Sequence, residues 1–279
     1  TIYGKFTSLS ADETIAITNI DVKDIGYTFV GSGILTQATV NAYYTANSTP
    51  LTKFVVHGYT SIGNNAFNAV ANTAINSLTN IILPNALTII DSYAFYKCKG
   101  LLGIVLPTEL TKIGYRAFAD CDAITTITIP NKVNNLGQEA FLWCGGLEVV
   151  LFESGINLTT IHVAVFHSCR KLKTIVLPET VESIGITSFY NCIVLPTINI
   201  PNAVTVIKRS AFGNCYALAT VTIDKTLSQL ATIGTSVFRH CAKILSINLP
   251  DNLITIGKFA FSGTKLSTVI LPKTVTEVL

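Results

Sequence analysis

Residues 117–121, Ala117-Phe118-Ala119-Asp120-Cys121, decide the fold because the same motif returns along most of the chain. Successive copies of its phenylalanine are 28, 23, 23, 25, 23, 23, 26 and 23 residues apart. A nearly fixed period of this length predicts a solenoid, in which each unit buries its apolar face only against its neighbours. We expect nine phenylalanines to stack as a structural spine: Phe67, Phe95, Phe118, Phe141, Phe166, Phe189, Phe212, Phe238 and Phe261.

One repeat unit, residues 101–121, shows how a turn of the solenoid is built. Ile104 and Leu106 alternate with outward positions, as in a half-buried strand, and a proline ends that strand. Ile113 then faces the core, and Gly114 permits a backbone geometry that a side chain would hinder. The Ala-Phe-x-x-Cys piece is too short for an independent helix and predicts a single helical or 3₁₀ turn.

Residues 1–50 do not fit the repeat. Residues 14–18 and 39–44 favour strands, and glycine- and asparagine-rich turns separate them. We interpret residues 1–50 as a β-rich N-terminal cap or degenerate repeat region, since the first unit of a solenoid would otherwise expose an apolar end. A separate binding module is the alternative. Residues 51–279 are predicted to form a solenoid of about ten units with a period near 23.

The composition excludes two classes of partner. Hydrophobic residues make up 49% of the chain, yet no apolar run approaches the roughly 18 residues of a membrane span, so we expect no membrane insertion. The formal net charge is +3, and Lys and Arg form no dense block, so we expect no nucleic acid partner.

Seven cysteines occupy one repeat position, and an odd number cannot pair completely within one chain. A disulfide scaffold and a metal site are the functional alternatives, but no Cys-x-x-Cys occurs. We favour a column of small, buried, reduced thiols, because free cysteine packs like a small hydrophobe. Val70 and Thr264 take the same position in the outer units, which fits that interpretation.

The pattern Leu-x-x-Ile-x-Leu-Pro…Leu-x-x-Ile-Gly-x-x-Ala-Phe-x-x-Cys, over residues 51–279, resembles the BspA-like leucine-rich repeat family, also called the treponemal-type class. The resemblance implies a mainly β fold with short helical turns, a curved right-handed solenoid with a parallel sheet on its concave face. It also implies a secreted or cell-surface protein linked to adhesion. We expect any export signal or anchor to lie outside this sequence.

Side chains suited to catalysis or metal binding are scattered, so we expect no catalytic residues, no metal site, no cofactor and no enzymatic activity. The chain contains no His-x-x-x-His pair and no Gly-x-Ser-x-Gly elbow. His167 with Cys169, and His240 with Cys241, are the candidate Cys/His pairs. We interpret both histidines as surface residues, because each neighbouring cysteine belongs to the buried column.

The outward positions of the predicted concave sheet are mostly neutral and rich in hydroxyls. They form our candidate binding surface: Asn80, Thr126, Thr128, Glu148, Lys173, Thr197, Asn199, Thr220, Thr222, Ser246, Asn248 and Thr268. Solvent-facing Ile82, Val105, Val176 and Ile270 lie among them. Such a surface suits a protein or a glycan. The alternative is that Thr and Val merely have high β propensity.

The function that the sequence favours is non-enzymatic adhesion to an extracellular protein or glycan of a host or neighbouring cell. A structural spacer that displays another domain is the alternative from a different class. Asn47 and Asn157 begin triplets that match the acceptor pattern for N-glycosylation.

Overall fold

The computed structural model describes residues 27–46 and 52–279. Within them the chain is mostly β and stacks parallel strands into a solenoid of about 11 turns, which confirms the predicted fold class. The described part also contains one α-helix, α1 (Gln37–Ala46), and one 3₁₀ helix (Thr73–Ser77). The strands are β1 (Tyr27–Leu35), β2 (Lys53–Ile62), β3 (Asn80–Ile82), β4 (Ile89–Ile90), β5 (Lys112–Ile113), β6 (Thr126–Ile129), β7 (Asn135–Leu136), β8 (Val149–Phe152), β9 (Thr160–Ile161), β10 (Thr174–Ile175), β11 (Ser183–Ile184), β12 (Thr197–Asn199), β13 (Val206–Ile207), β14 (Thr220–Thr222), β15 (Thr232–Ile233), β16 (Thr255–Ile256) and β17 (Glu277–Val278).

The strands form two parallel ladders along the solenoid. The first ladder contains three hydrogen-bonded groups of strands: the start of β2 with β3, then β6 with β8 and β10, then β12 with β14. Residues 101–107 and 244–250 take the equivalent place without forming a strand, so the strand predicted around Ile104 and Leu106 is wrong. The second ladder contains two such groups: the end of β2 with β4, β5 and β7, and then β9, β11, β13, β15, β16 and β17. Equivalent repeat positions face each other, as Ile127 faces Val150 in the first ladder and Ile113 faces Leu136 in the second. Each buried position of the repeat therefore becomes a column through one continuous core.

The prediction of a strand over residues 39–44 is wrong, because these residues lie in α1. The Thr39 amide donates to Thr36 Oγ1 at 3.3 Å, which satisfies a backbone group at the start of the helix. Val40 and Tyr43, three residues apart, share the buried face. This burial at helical spacing outweighs the β propensity of the segment. The predicted strand at residues 14–18 lies outside the described residues.

Strand β1 extends the parallel array before residue 51. It pairs with β2, and Tyr27 faces Phe54. The division of the chain at residue 50 stays a prediction.

The spine phenylalanines stack face to face from Phe67 to Phe261. Neighbouring ring centroids are 5.1 to 5.7 Å apart, and neighbouring ring planes lie within 21° of each other. The rings from Phe67 to Phe238 are fully buried. At the N-terminal end, Phe67 meets Phe29 and Phe54 at about 6 Å, so the spine continues into an aromatic cluster.

The Ala-Phe-x-x-Cys segments differ from the predicted helical or 3₁₀ turns. The residues two positions before and after the phenylalanine are left-handed, as at Arg116 (φ 51°) and Asp120 (φ 63°). The amide of Phe118 consequently donates to Ala140 O of the next repeat at 2.8 Å, and that of Asp120 to Leu142 O at 2.7 Å. A helical turn would direct these amides along its own axis. The free energy of these hydrogen bonds between repeats offsets the roughly 1–2 kcal/mol that each left-handed residue costs.

The seven cysteines are all free and buried, which confirms the predicted column of reduced thiols. Each thiol donates to the carbonyl of the spine phenylalanine of the preceding repeat, as Cys121 Sγ does to Phe95 O at 3.0 Å and Cys144 Sγ does to Phe118 O at 3.0 Å. Cysteine therefore fills a small apolar space and satisfies a buried carbonyl at the same time.

Gly114 is needed for a reason other than its own dihedral angles. A Cβ at this position would lie 2.5 Å from the backbone nitrogen of Ser92 in the preceding repeat. The glycine thus permits the close approach of two backbones.

Phe118→Ala should lower the free energy of unfolding by about 3–5 kcal/mol, because it removes buried ring surface and leaves a cavity in the spine. Phe259→Ala is the matched control, since Phe259 is 66% exposed. The control should change stability by no more than about 0.5 kcal/mol. Denaturant unfolding followed by circular dichroism measures both, and equal losses would refute the role of the spine.

All seven thiols should resist a thiol-specific reagent in the native protein and react together on unfolding. The cause is burial, which also raises the pKa of Cys144 to about 12. An unfolded thiol has a pKa of roughly 8.5. The stability that the buried, protonated Cys144 thiol contributes is therefore complete below that pH and is lost as the pH rises towards 12.

Labelling of the native protein at pH 8, with and without denaturant, checks this prediction. Unfolding at pH 8 and at pH 10.5 should show lower stability at the higher pH, and Cys144→Ala should reduce the difference. Labelling of native Cys144 or Cys169 at the rate of the unfolded chain would contradict it.

Candidate functional site

The solenoid presents three outward surfaces. The first ladder face and the second ladder face carry the outward side chains of the two ladders. The turn face carries those of the ten-residue turns that begin four residues before each spine phenylalanine, such as residues 114–123.

The first ladder face consists of two rows of outward residues on either side of a buried column. Row one precedes the buried residue in each repeat, and row two follows it. Row one contains Lys53, Asn80, Gly103, Thr126, Val149, Thr174, Thr197, Thr220, Ser246 and Thr268. Row two contains Val55, Ile82, Val105, Thr128, Leu151, Val176, Asn199, Thr222, Asn248 and Ile270. Ten of the twelve sequence-predicted residues lie in these rows, and all ten are exposed.

The other two predicted residues, Glu148 and Lys173, lie one position before row one. The ladder register pairs Val149, not Glu148, with Thr126. Lys173 Nζ contacts Glu148 Oε2 at 2.7 Å, and this hydrogen bond lowers the pKa of the Glu148 carboxyl. Such an exposed pair adds little stability. It leaves the first ladder face without an unpaired charge at this point.

Row two carries an exposed apolar stretch. Val105 is 85% exposed and Val176 is 69% exposed, and Leu151 between them is also exposed. Thr128 faces Leu151 and interrupts the stretch. Sequence reasoning missed Leu151, because it belongs to the continuous apolar run of β8, which gives no alternation of inward and outward residues.

The two candidate Cys/His pairs are not arranged for catalysis or metal binding, because both cysteines are buried and bonded to carbonyls. In residues 27–46 and 52–279, no group of three or more His, Cys, Asp or Glu side chains could hold a metal ion.

The two histidines of these pairs nevertheless line one cavity on the turn face. The cavity has a volume of about 600 Å³, and His167, Tyr190, Arg209, Arg239 and His240 are among its lining residues. Burial lowers the pKa of His167, and Glu139 acts in the opposite direction. Sequence reasoning treated these histidines separately, because they are far apart in sequence and only the stacking of the turns brings them to one cavity.

Two further features of the sequence concern the acceptor triplets for N-glycosylation and the membrane. Asn157 is exposed, as glycosylation would require, whereas Asn47 lies outside the described residues. Among the residues that the structure describes, no helix has the length and apolar character needed to span a membrane.

The chain is similar to a known family and to several solved structures. A family model described as a BspA type leucine rich repeat region matches the chain in six copies, over residues 60–166 and 159–279. Among solved structures, the chain is similar to a leucine-rich repeat protein from Bacteroides ovatus, with 22% identity over 92% of this chain and 84% of that one and a TM-score of 0.46. A leucine-rich repeat protein from Eubacterium ventriosum is 17% identical over 88% of this chain and 92% of that one, with a TM-score of 0.38. The pneumococcal vaccine antigen PcpA is 14% identical over 93% of this chain and 85% of that one, with a TM-score of 0.36. No curated protein matches.

The repeat matched by the family model is the unit whose phenylalanine and cysteine columns hold the solenoid together. The matched residues make up well over half of the chain. This chain therefore belongs to the BspA-type leucine-rich repeat family.

Proposed function

We propose that this protein is a non-enzymatic binding protein, secreted or held at a cell surface, that adheres to a protein or glycan of a host or neighbouring cell. The observation that carries the proposal is the exposed apolar stretch in row two, at Val105, Leu151 and Val176. Leucine-rich repeat proteins of this type are generally binding proteins and are typically non-enzymatic.

The chemistry of the first ladder face supports contact with a neutral or partly apolar surface. Hydroxyl and amide side chains surround the apolar stretch, as Thr126, Thr128 and Asn199 do. An apolar centre with polar surroundings is typical of protein interfaces. An apolar patch exposed on a stable fold also marks sites of interaction.

The rigidity of the solenoid supports binding with little conformational change. Leu151 is attached to β8, which pairs with β6 and β10 over the buried core, and Val176 directly follows β10. A preorganised surface loses little conformational entropy when it binds. Several modest contacts along the array can then add up to useful affinity.

The proposal is tested with Val105→Asp combined with Val176→Asp, probed against an array of extracellular matrix proteins and glycans at physiological salt. Binding should weaken at least about tenfold, since buried interface contacts of this size cost more than about 1.4 kcal/mol when replaced by a charge. Leu227→Asp combined with Ile254→Asp is the matched control, because these exposed apolar residues lie off the first ladder face.

If both double variants bind equally well, the first ladder face is not the binding surface. Absence of binding by the unaltered protein across the array would favour the structural spacer instead.

A further inference from the structure

The cavity on the turn face is formed by four successive repeats. Its lining residues come from the turns of Phe166, Phe189, Phe212 and Phe238. A volume of about 600 Å³ lies within the roughly 300–1,000 Å³ that sites for small ligands occupy. The cavity does not share any residue with the first ladder face, so a ligand bound here is tested with variants that leave that face unchanged.

One repeat position beside the cavity carries no side chain. The residue after the spine phenylalanine is Ala119 or Leu142 in earlier turns, where it packs into a small outer apolar cluster with Ala164. In the turn of Phe212 that residue is Gly213. A Cβ there would lie 2.9 Å from the ring of Tyr190, so the glycine leaves room for the ring.

The charges of the turn face divide at about residue 150. Turns 91–100, 114–123 and 137–146 contain four acidic and three basic residues. These charges neutralise one another, as Arg116 Nε does with Glu139 Oε2 at 2.6 Å and Lys99 Nζ does with Asp120 Oδ1 at 3.5 Å.

The later turns carry one sign of charge. The turns at 162–171, 185–194, 208–217, 234–243 and 257–266 contain eight Lys and Arg residues and no Asp or Glu. Within the described part of the chain, Arg209 and Arg239 form no ion pair, and both line the cavity. Positive charge without a protein partner therefore surrounds a concave site.

One wall of the cavity is held in place by contacts within the protein. Asn214 Nδ2 donates to the hydroxyl of Tyr190 at 2.8 Å, and the Tyr190 ring lies 5.1 Å from the ring of His167. Tyr216, about half exposed, also lines the cavity. The site thus combines two guanidinium groups with a fixed aromatic wall and a second, exposed aromatic ring.

We propose that this cavity binds an acidic saccharide through its carboxylate or sulfate groups. Arg209 and Arg239 would each present paired N–H donors, which match the oxygens of these anions. Tyr216 would lie against the apolar C–H side of a sugar ring, while Thr187 and Ser210 offer hydroxyls for its polar edge.

A saccharide fits the cavity better than a nucleic acid does. Single-stranded nucleic acids stack their bases on aromatic faces along a groove. The Tyr190 ring is packed against Gly213 and His167, so it is not free to stack, and Tyr216 is the remaining tyrosine of the cavity lining.

The test measures binding of a heparin hexasaccharide, which carries both carboxylates and sulfates, by calorimetry at about physiological ionic strength. Arg209→Ala combined with Arg239→Ala should weaken binding about tenfold or more. Lys171→Ala combined with Lys243→Ala removes the same charge from the turn face outside the cavity and should change affinity by about twofold or less. Tyr216→Ala, which changes no charge, should weaken binding severalfold.

Neutral cellohexaose and a single-stranded DNA hexamer serve as control ligands, and both should bind more weakly than the heparin hexasaccharide. Unfolding by denaturant shows that each variant keeps its fold. The proposal is overturned by equal losses in the two double variants, by a DNA hexamer that binds as tightly as the saccharide, or by no saccharide binding to the unaltered protein.

Discussion

The contact between the phenylalanine rings of successive repeats is the constraint on which the rest of the solenoid depends. Neighbouring ring centroids are 5.1 to 5.7 Å apart. This spacing is only slightly larger than the roughly 4.7–4.9 Å between paired strands. From one repeat to the next, both ladders and the turns must therefore move along the solenoid axis by nearly the same distance. The small cysteine that follows seven of the nine rings and the glycine at positions such as Gly114 let the backbones come close enough to do so.

The period of the sequence was sufficient to predict the core, because each buried column repeats one residue type at one position. Two local structures could not be predicted in this way. Residues 39–44 have strand propensity and become helical, since burial of Val40 and Tyr43 determines their conformation. The left-handed residues two positions from the phenylalanine of each Ala-Phe-x-x-Cys segment are stabilised by amides that bond to the next repeat, and local propensity contains no information about such bonds.

The candidate sites were less predictable than the core, because outward positions vary from repeat to repeat. Alternation identified most of rows one and two but missed Leu151, which lies in an apolar run. The cavity is lined by Gly213 and by cations from different turns, and only the stacked structure brings these residues together. The same repeat thus supports a neutral first ladder face and a cationic end of the turn face, and the core is unchanged between them.

Hydrogen exchange of individual backbone amides tests most directly whether the turns hold the stack together. The amides of Phe118, Phe141 and Phe189 donate to carbonyls of the following repeat at 2.8 to 3.0 Å. They should exchange as slowly as the amides of the paired strand β6, because both are released only when neighbouring repeats separate. Exchange of these three amides at the rate of an open loop, while the amides of β6 remain protected, would contradict the account.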